Sequence, residues 1–116
     1  MAMSEFENRR AEKLLADYVA KRRPAAHIRP KLDLGWRRAG QSVELFEIRP
    51  VWRGAPGQKM ESPVVKATWV KRRSHWRVFW RRADLKWHRY EPLPETATLE
   101  AVLEEVEADP FGCFWG

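Results

Sequence analysis

The sequence predicts an α+β fold: a roughly five-stranded antiparallel meander with an N-terminal and a C-terminal helix packed on one face. Three observations carry this. Apolar residues recur at helical spacing near both ends of the chain and alternate at period two between them. The alternating segments are separated by hairpin-length turns. Four tryptophans, Trp69, Trp76, Trp80 and Trp87, share one parity when those segments are folded back on each other.

The first helix is expected over about 4–23. Ser4 and Glu7 read as a capping box, and Phe6, Leu14, Leu15, Tyr18 and Val19 recur at helical spacing. Lys21, Arg22 and Arg23 place cations in the last turn, where they suit the helix dipole, and Pro24 stops the helix. Leu32, Leu34 and Trp36 then alternate with polar residues in a strand over about 31–38, turned at Ala39-Gly40 into a second strand over 42–49. In that register Trp36 faces Val43, Leu34 faces Leu45 and Asp33 faces Phe46. Glu47 lands opposite Leu32, so a bulge or strand end is expected there. Pro50 and the loop 53–58 interrupt the sheet.

Strands are expected over about 64–71, 75–82 and 85–90. A turn at 71–74 sets Trp69 across from Trp76, Ala67 across from Val78 and Val65 across from Trp80. A turn at Ala83-Asp84 sets Trp80 across from Trp87. Each indole buries about 200 Å², a gross gain of about 5 kcal/mol at 25 cal/mol per Å². Stacking on a nucleobase is worth only about 1–3 kcal/mol. The four rings are therefore assigned to the core. A helix over about 98–108 closes the chain, with Thr98 as N-cap and Leu99, Val102, Leu103 and Val106 inward; Pro110 ends it, and the aromatic tail Phe111–Trp115 is expected to dock into the core.

A chain of 116 residues and 13.7 kDa fits a single domain, 1–116. No apolar run approaches the roughly 20 residues a membrane span needs. Signal-peptide patterning is absent at the N-terminus, and Cys113 is the one cysteine, so a reducing, cytoplasmic setting without membrane association is expected. The net charge of +6 hides an asymmetry. Residues 91–116 hold seven acids and no Lys or Arg, whereas residues 1–90 hold all 22 basic residues against nine acids, a net +13. Such a basic body invites polyanions, and the acidic tail could neutralise part of it.

Several blocks resemble a known family: Lys21-Arg22-Arg23-Pro24, Leu32-Asp33-Leu34-Gly35, Gly40-Gln41-Ser42-Val43-Glu44, Lys59-Met60-Glu61-Ser62-Pro63, Asp84-Leu85-Lys86-Trp87-His88-Arg89-Tyr90-Glu91-Pro92 and Gly112-Cys113-Phe114-Trp115-Gly116. With these the chain is similar, over nearly its full length, to the bacterial family catalogued as domain of unknown function 3024. The block from Leu85 to Pro92 is the most specific. The resemblance implies a stand-alone bacterial protein and carries with it no activity, cofactor or catalytic residue.

The other parity of the central strands carries Lys66, Thr68, Arg77, Phe79, Arg81, Lys86, His88 and Tyr90. Aromatic rings ringed by cations on a sheet are what single-stranded nucleic-acid platforms use, so the leading reading is a non-enzymatic module for single-stranded DNA or RNA. In it Lys66, Arg77, Arg81 and Lys86 hold phosphates while Phe79, His88 and Tyr90 stack. The alternative is an interaction module in which this face meets an acidic protein partner or a second copy's acidic tail. A third reading is an enzyme. It would pair His88 with Asp33 or Glu44 for proton transfer, or gather Asp33, Glu44, Glu47 and Arg49 around Mg²⁺. His27, His75, His88 and Cys113 lack paired-ligand spacing. No cofactor motif is present, so neither metal nor cofactor nor catalytic residue is assigned.

Overall fold

Helix α1 begins where the Ser4 hydroxyl accepts the Glu7 N–H at 3.1 Å. It runs Glu5–Arg22 in the computed structural model, which describes residues 3–115. Ala11, Leu15 and Val19 are its buried residues. Phe6, expected among them, is 76% exposed. Nine positions at about 100° each set it opposite Leu15 on the helix wheel. The cations of the last turn do more than cap. Arg22 donates to Glu107, and Arg23 donates to both carboxylate oxygens of Asp33, at 2.9 and 2.7 Å.

Among the described residues six strands follow: β1 (Asp33–Ala39), β2 (Ser42–Pro50), β3 (Lys59–Val70), β4 (His75–Arg81), β5 (Trp87–Arg89) and β6 (Glu95–Thr96), then α2 (Leu99–Ala108). The first five form an antiparallel sheet in chain order, a meander, and β6 pairs with β4 beside β5. The protein is therefore α+β. The short β6 is not visible in the sequence, because two residues directly after Pro94 carry no periodicity.

The first hairpin turns at Gly40-Gln41, one residue later than expected. Gly40 takes a φ of +59°, which as the first central residue it adopts without steric cost. Trp36 then faces Leu45 instead of Val43, and Gly35 instead of Asp33 faces Phe46. This two-residue change of pairing leaves every side chain on its expected face. The irregularity expected at Glu47 lies instead between Leu45 and Phe46 in the β2–β3 ladder, where Val64 is the extra residue of a bulge. Pro63, which has no N–H to give the ladder, sits beside it.

Both helices contribute to one apolar layer. Ala11, Leu15 and Val19 of α1 and Leu99, Val102, Leu103 and Val106 of α2 cluster with Leu34, Val43, Leu45, Val65, Ala67, Trp76 and Val78 of the sheet. Trp69, Trp76 and Trp80 face this layer. Trp76 is buried, and the other two pack partly buried against the cluster. Thr98 caps α2 by accepting the Ala101 N–H. At the far end Asp109 turns left-handed and accepts the N–H groups of Phe114 and Trp115 at 3.1 and 2.9 Å. The tail is thereby folded back. Phe114 is buried with its ring centroid 4.8 Å from that of Tyr90, the Trp115 indole donates to the Val106 carbonyl, and Phe111 stays exposed.

Candidate functional site

The candidate site is the sheet face turned away from the helices, and the β4–β5 turn decides what stands on it. A two-residue turn at Ala83-Asp84 is expected to set Trp80 across from Trp87. The turn instead holds Ala83, Asp84 and Leu85, closed by an Arg82 N–H to Lys86 carbonyl bond of 3.2 Å, with Leu85 left-handed at φ +63°. That is the three-residue hairpin form, in which a residue of positive φ completes the loop. The position normally belongs to Gly or Asn, so a leucine there gives no warning in the sequence. Pairing becomes Arg81 with Trp87, Trp80 with His88 and Phe79 with Arg89. A shift of one residue exchanges the faces.

Three ring assignments change as a result. Trp87 leaves the core layer for the outer face. Tyr90 moves inward and is completely buried, its N–H donating to the Val78 carbonyl and its hydroxyl to Glu105 at 2.5 Å. Burial first, and the Glu105 bond second, hold its phenol protonated well above the usual tyrosine range. His88 falls beside Trp80 on the helix face, its Nε2 2.8 Å from Asp84 Oδ2. Neither His88 nor Tyr90 can stack a base on the outer face.

Lys66, Phe79 and Arg81 stand on the outer face as expected. Lys66 Nζ lies 5.0 Å from the Phe79 ring centroid and 5.4 Å from that of Trp87, and the Arg81 guanidinium carbon lies 5.6 Å from Trp87. Two half-buried rings thus share one lysine between them. Among the described residues neither Lys66 nor Arg81 has an ion-pair partner. One cross-strand row runs Arg37, Glu44, Lys66, Phe79, Arg89 from edge to edge. The next runs Ser42, Thr68, Arg77, Glu95, with the Ser42 and Thr68 hydroxyls 2.8 Å apart. Arg77 is on this face but lies 3.6 Å from Glu95, so its charge is shared. Lys86 is exposed in the β4–β5 turn, but the same one-residue shift sets it opposite Arg82 with the parity of His88, so it does not stand on the outer face as expected.

Farther along, Phe46 lies on the outer face over Gly35, capped by the Arg37 guanidinium 4.3 Å above its ring. Arg37 also pairs with Glu61. These residues, with Trp87, Arg89 and Glu95, escape the sequence reading. Parity alone would have found Phe46 and Arg37; the other three needed the true register and the unannounced β6.

The carboxylates considered for catalysis do not converge. Glu44 is on the outer face, whereas Glu47, of opposite parity, pairs with Leu34 and lies near Arg49. Asp33 is held by Arg23, whose bonds keep its carboxyl below the usual range. The acid next to His88 is Asp84, four residues away within the same turn. Among the described residues no group of three or more His, Cys, Asp or Glu side chains is placed to hold a metal ion. Cys113 is half buried, and burial pushes its thiol up.

A two-layer α+β domain with both helices on one face and a cationic, aromatic face left open is the class of protein this geometry defines. The chain belongs to the family described as Domain of unknown function (DUF3024), whose model matches residues 3–116. No curated protein and no solved structure matches it.

Proposed function

We propose that the outer sheet face is a binding platform for single-stranded nucleic acid, centred on Phe79 and Trp87 with Lys66 and Arg81. The observation that carries this is the pair of adjacent rings sharing cations that lack carboxylate partners on the uncovered face. Lys66 occupies the ring faces in the free protein, so an arriving base would take its place. The ammonium, displaced from the rings, then remains close enough to meet the phosphate of the same nucleotide. Cation–π contacts at exposed sites are worth about 0.5–1 kcal/mol, less than the about 1–3 kcal/mol a stacked base returns. Exchange is therefore favourable.

The acidic segment supports this reading by where its carboxylates go. Glu100 pairs with Arg10 and Glu107 with Arg22, both on α1, and Glu105 accepts from Tyr90. Those acids face the helix layer and leave Lys66 and Arg81 of the outer face without a carboxylate partner among the described residues.

Fluorescence anisotropy of labelled mixed-sequence oligonucleotides tests the proposal. Binding is expected to weaken linearly in log salt, and Phe79→Ala and Trp87→Ala each to cost about 1–3 kcal/mol of affinity. Absence of binding at about 50 mM salt, where screening is weak, would sink it. A second reading has one observation in its favour. The acids of α2 form a complementary surface on the opposite layer, so copies could meet head to tail through this face. A gel-filtration mass that rises with concentration at low salt, without oligonucleotide binding, would select that reading.

A further inference from the structure

The edge of the outer face carries a second feature, built around a single carboxylate oxygen. Glu95 Oε1 lies 2.8 Å from Arg73 Nη1, 3.6 Å from Arg77 Nε and 3.8 Å from Arg89 Nη2. Three guanidiniums thus converge on one anion from three different elements: the β3–β4 turn, β4 and β5. Only Arg73 is within hydrogen-bond distance. Arg77 Nε is buried without a partner among the described residues. A guanidinium offers five donors and a carboxylate about four acceptor sites, so most donors here remain unused. The three positive charges and one negative leave a local excess of two.

The arrangement is held in place. Arg77 is paired with Glu95 in the β4–β6 ladder, and Arg89 with Phe79 in the β4–β5 ladder. Arg73 sits in a turn closed by Arg73 N–H to Val70 and Ser74 N–H to Lys71 carbonyl bonds. The three arginine side chains are nonetheless 40–56% exposed, so an anion can reach them.

We propose that Arg73, Arg77 and Arg89 form a phosphate-binding site, with Glu95 holding the guanidiniums together until the anion arrives. Arginine suits the task because its planar fork offers paired donors to phosphate oxygens. The charge excess matches a phosphate monoester, which carries about −1.5 to −2 at pH 7, better than the single charge of a diester. The ligand is therefore a terminal phosphate, either that of a small phosphomonoester or the 5′ end of a nucleic acid. The site stands on its own geometry; the second source rests on the sheet-face reading.

A titration of ¹⁵N-labelled protein with inorganic phosphate at low ionic strength, following the arginine Nε–H resonances, tests it. Saturable shifts at Arg73, Arg77 and Arg89 are expected. Glu95→Gln removes a competing charge from about 4 Å and is expected to tighten phosphate binding at least about threefold. Shifts that fail to saturate, or that are no larger than at Arg9 on α1, overturn the site, as does a folded Glu95→Gln variant that binds no better. Should that variant not fold, the wild-type titration decides alone. A 5′-phosphorylated oligothymidylate binding more tightly than its 5′-hydroxyl twin assigns the phosphate to a nucleic-acid end. Equal affinity of the two, with saturable inorganic phosphate binding, assigns it to a small phosphomonoester. Oligonucleotide binding without saturable phosphate shifts would remove this site and leave the stacking platform standing.

Discussion

At the scale of single residues, the two tyrosines carry the sharpest consequence. Tyr18 and Tyr90 each donate a hydroxyl to a carboxylate of α2, Glu107 at 2.8 Å and Glu105 at 2.5 Å. Burial, then those bonds, raise both phenols above the ordinary value of about 10. A raised value means the neutral phenol stabilises the fold below pH of about 10, and that contribution is lost as pH rises toward the folded-state value. Absorbance of tyrosinate is therefore expected to stay flat in alkali until the chain unfolds; either ring titrating near 10 in the folded protein would contradict this. Tyr90→Phe leaves Glu105 without its donor and is expected to cost about 1–2 kcal/mol in urea denaturation. Gly35 is a second sensitive position. A Cβ there would lie 2.7 Å from the buried Phe46 ring, so Gly35→Ala is expected to destabilise by about 1–3 kcal/mol through overpacking. An unchanged melting temperature would mean that the ring moves freely.

Among the elements, the β4–β5 turn decides the character of the outer face. Leu85 is 71% exposed and left-handed, a conformation that costs a non-glycine residue about 1 kcal/mol or more. Leu85→Gly is thus expected to raise the melting temperature by several degrees, about what 1 kcal/mol yields in a domain this small. The turn persists because Asp84 ties it, accepting from the Lys86 N–H at 3.0 Å and lying 2.8 Å from His88 Nε2. The His88 bond, and then the Lys86 N–H, hold the Asp84 carboxyl below its usual value. The sign follows directly. Stabilisation is present above about pH 4, the ordinary aspartate range, and is lost as pH falls through the lowered value. Asp84→Ala is expected to speed hydrogen exchange of the Trp87–Arg89 amides at neutral pH more than elsewhere in the sheet. Uniform acceleration would assign Asp84 to global stability instead.

For the molecule as a whole, charge is sorted between the two layers. The basic body and acidic tail meet mainly through α1 and α2, with Glu95 reaching round to the edge of the sheet. The two helices carry eight acids against five cations, whereas Lys66 and Arg81 on the open layer have no carboxylate partner among the described residues. If three or four cations of that layer meet phosphates, the slope of log affinity against log salt is expected to be about −2 to −3 on single strands. A slope near zero with measurable binding would show that stacking alone holds the ligand. Trp52 makes a useful control. It is 81% exposed at the tip of the β2–β3 hairpin, and among the described residues the one cation over its ring is Arg53, so Trp52→Ala is expected to leave stability within about 0.5 kcal/mol.

How much of this was written in the local sequence differs from hairpin to hairpin. The β3–β4 register could be read directly, because Trp69, Trp76, Val65, Ala67, Val78 and Trp80 are apolar partners whose exposure would be costly, and the observed pairing is the expected one. The first hairpin kept its faces despite a different turn. Caps at Ser4 and Thr98 were legible because a hydroxyl before an apolar run satisfies free helix N–H groups. The β4–β5 register was not legible. It depends on a strained leucine that local preference argues against, and pairing Trp80 with Trp87 looks equally good by periodicity alone. Tertiary structure resolved it, since Tyr90 can enter the core only if its hydroxyl finds an acceptor, and Glu105 on α2 supplies one from a distance in sequence. Moving Tyr90 inward moves Trp87 outward beside Phe79, and β6 then brings Glu95 to the arginines. By itself the sequence determined the α+β fold, the helix ends and which face of β3 and β4 is buried, because each follows from local periodicity. The rings and charges gathered on the open face were decided by long-range packing.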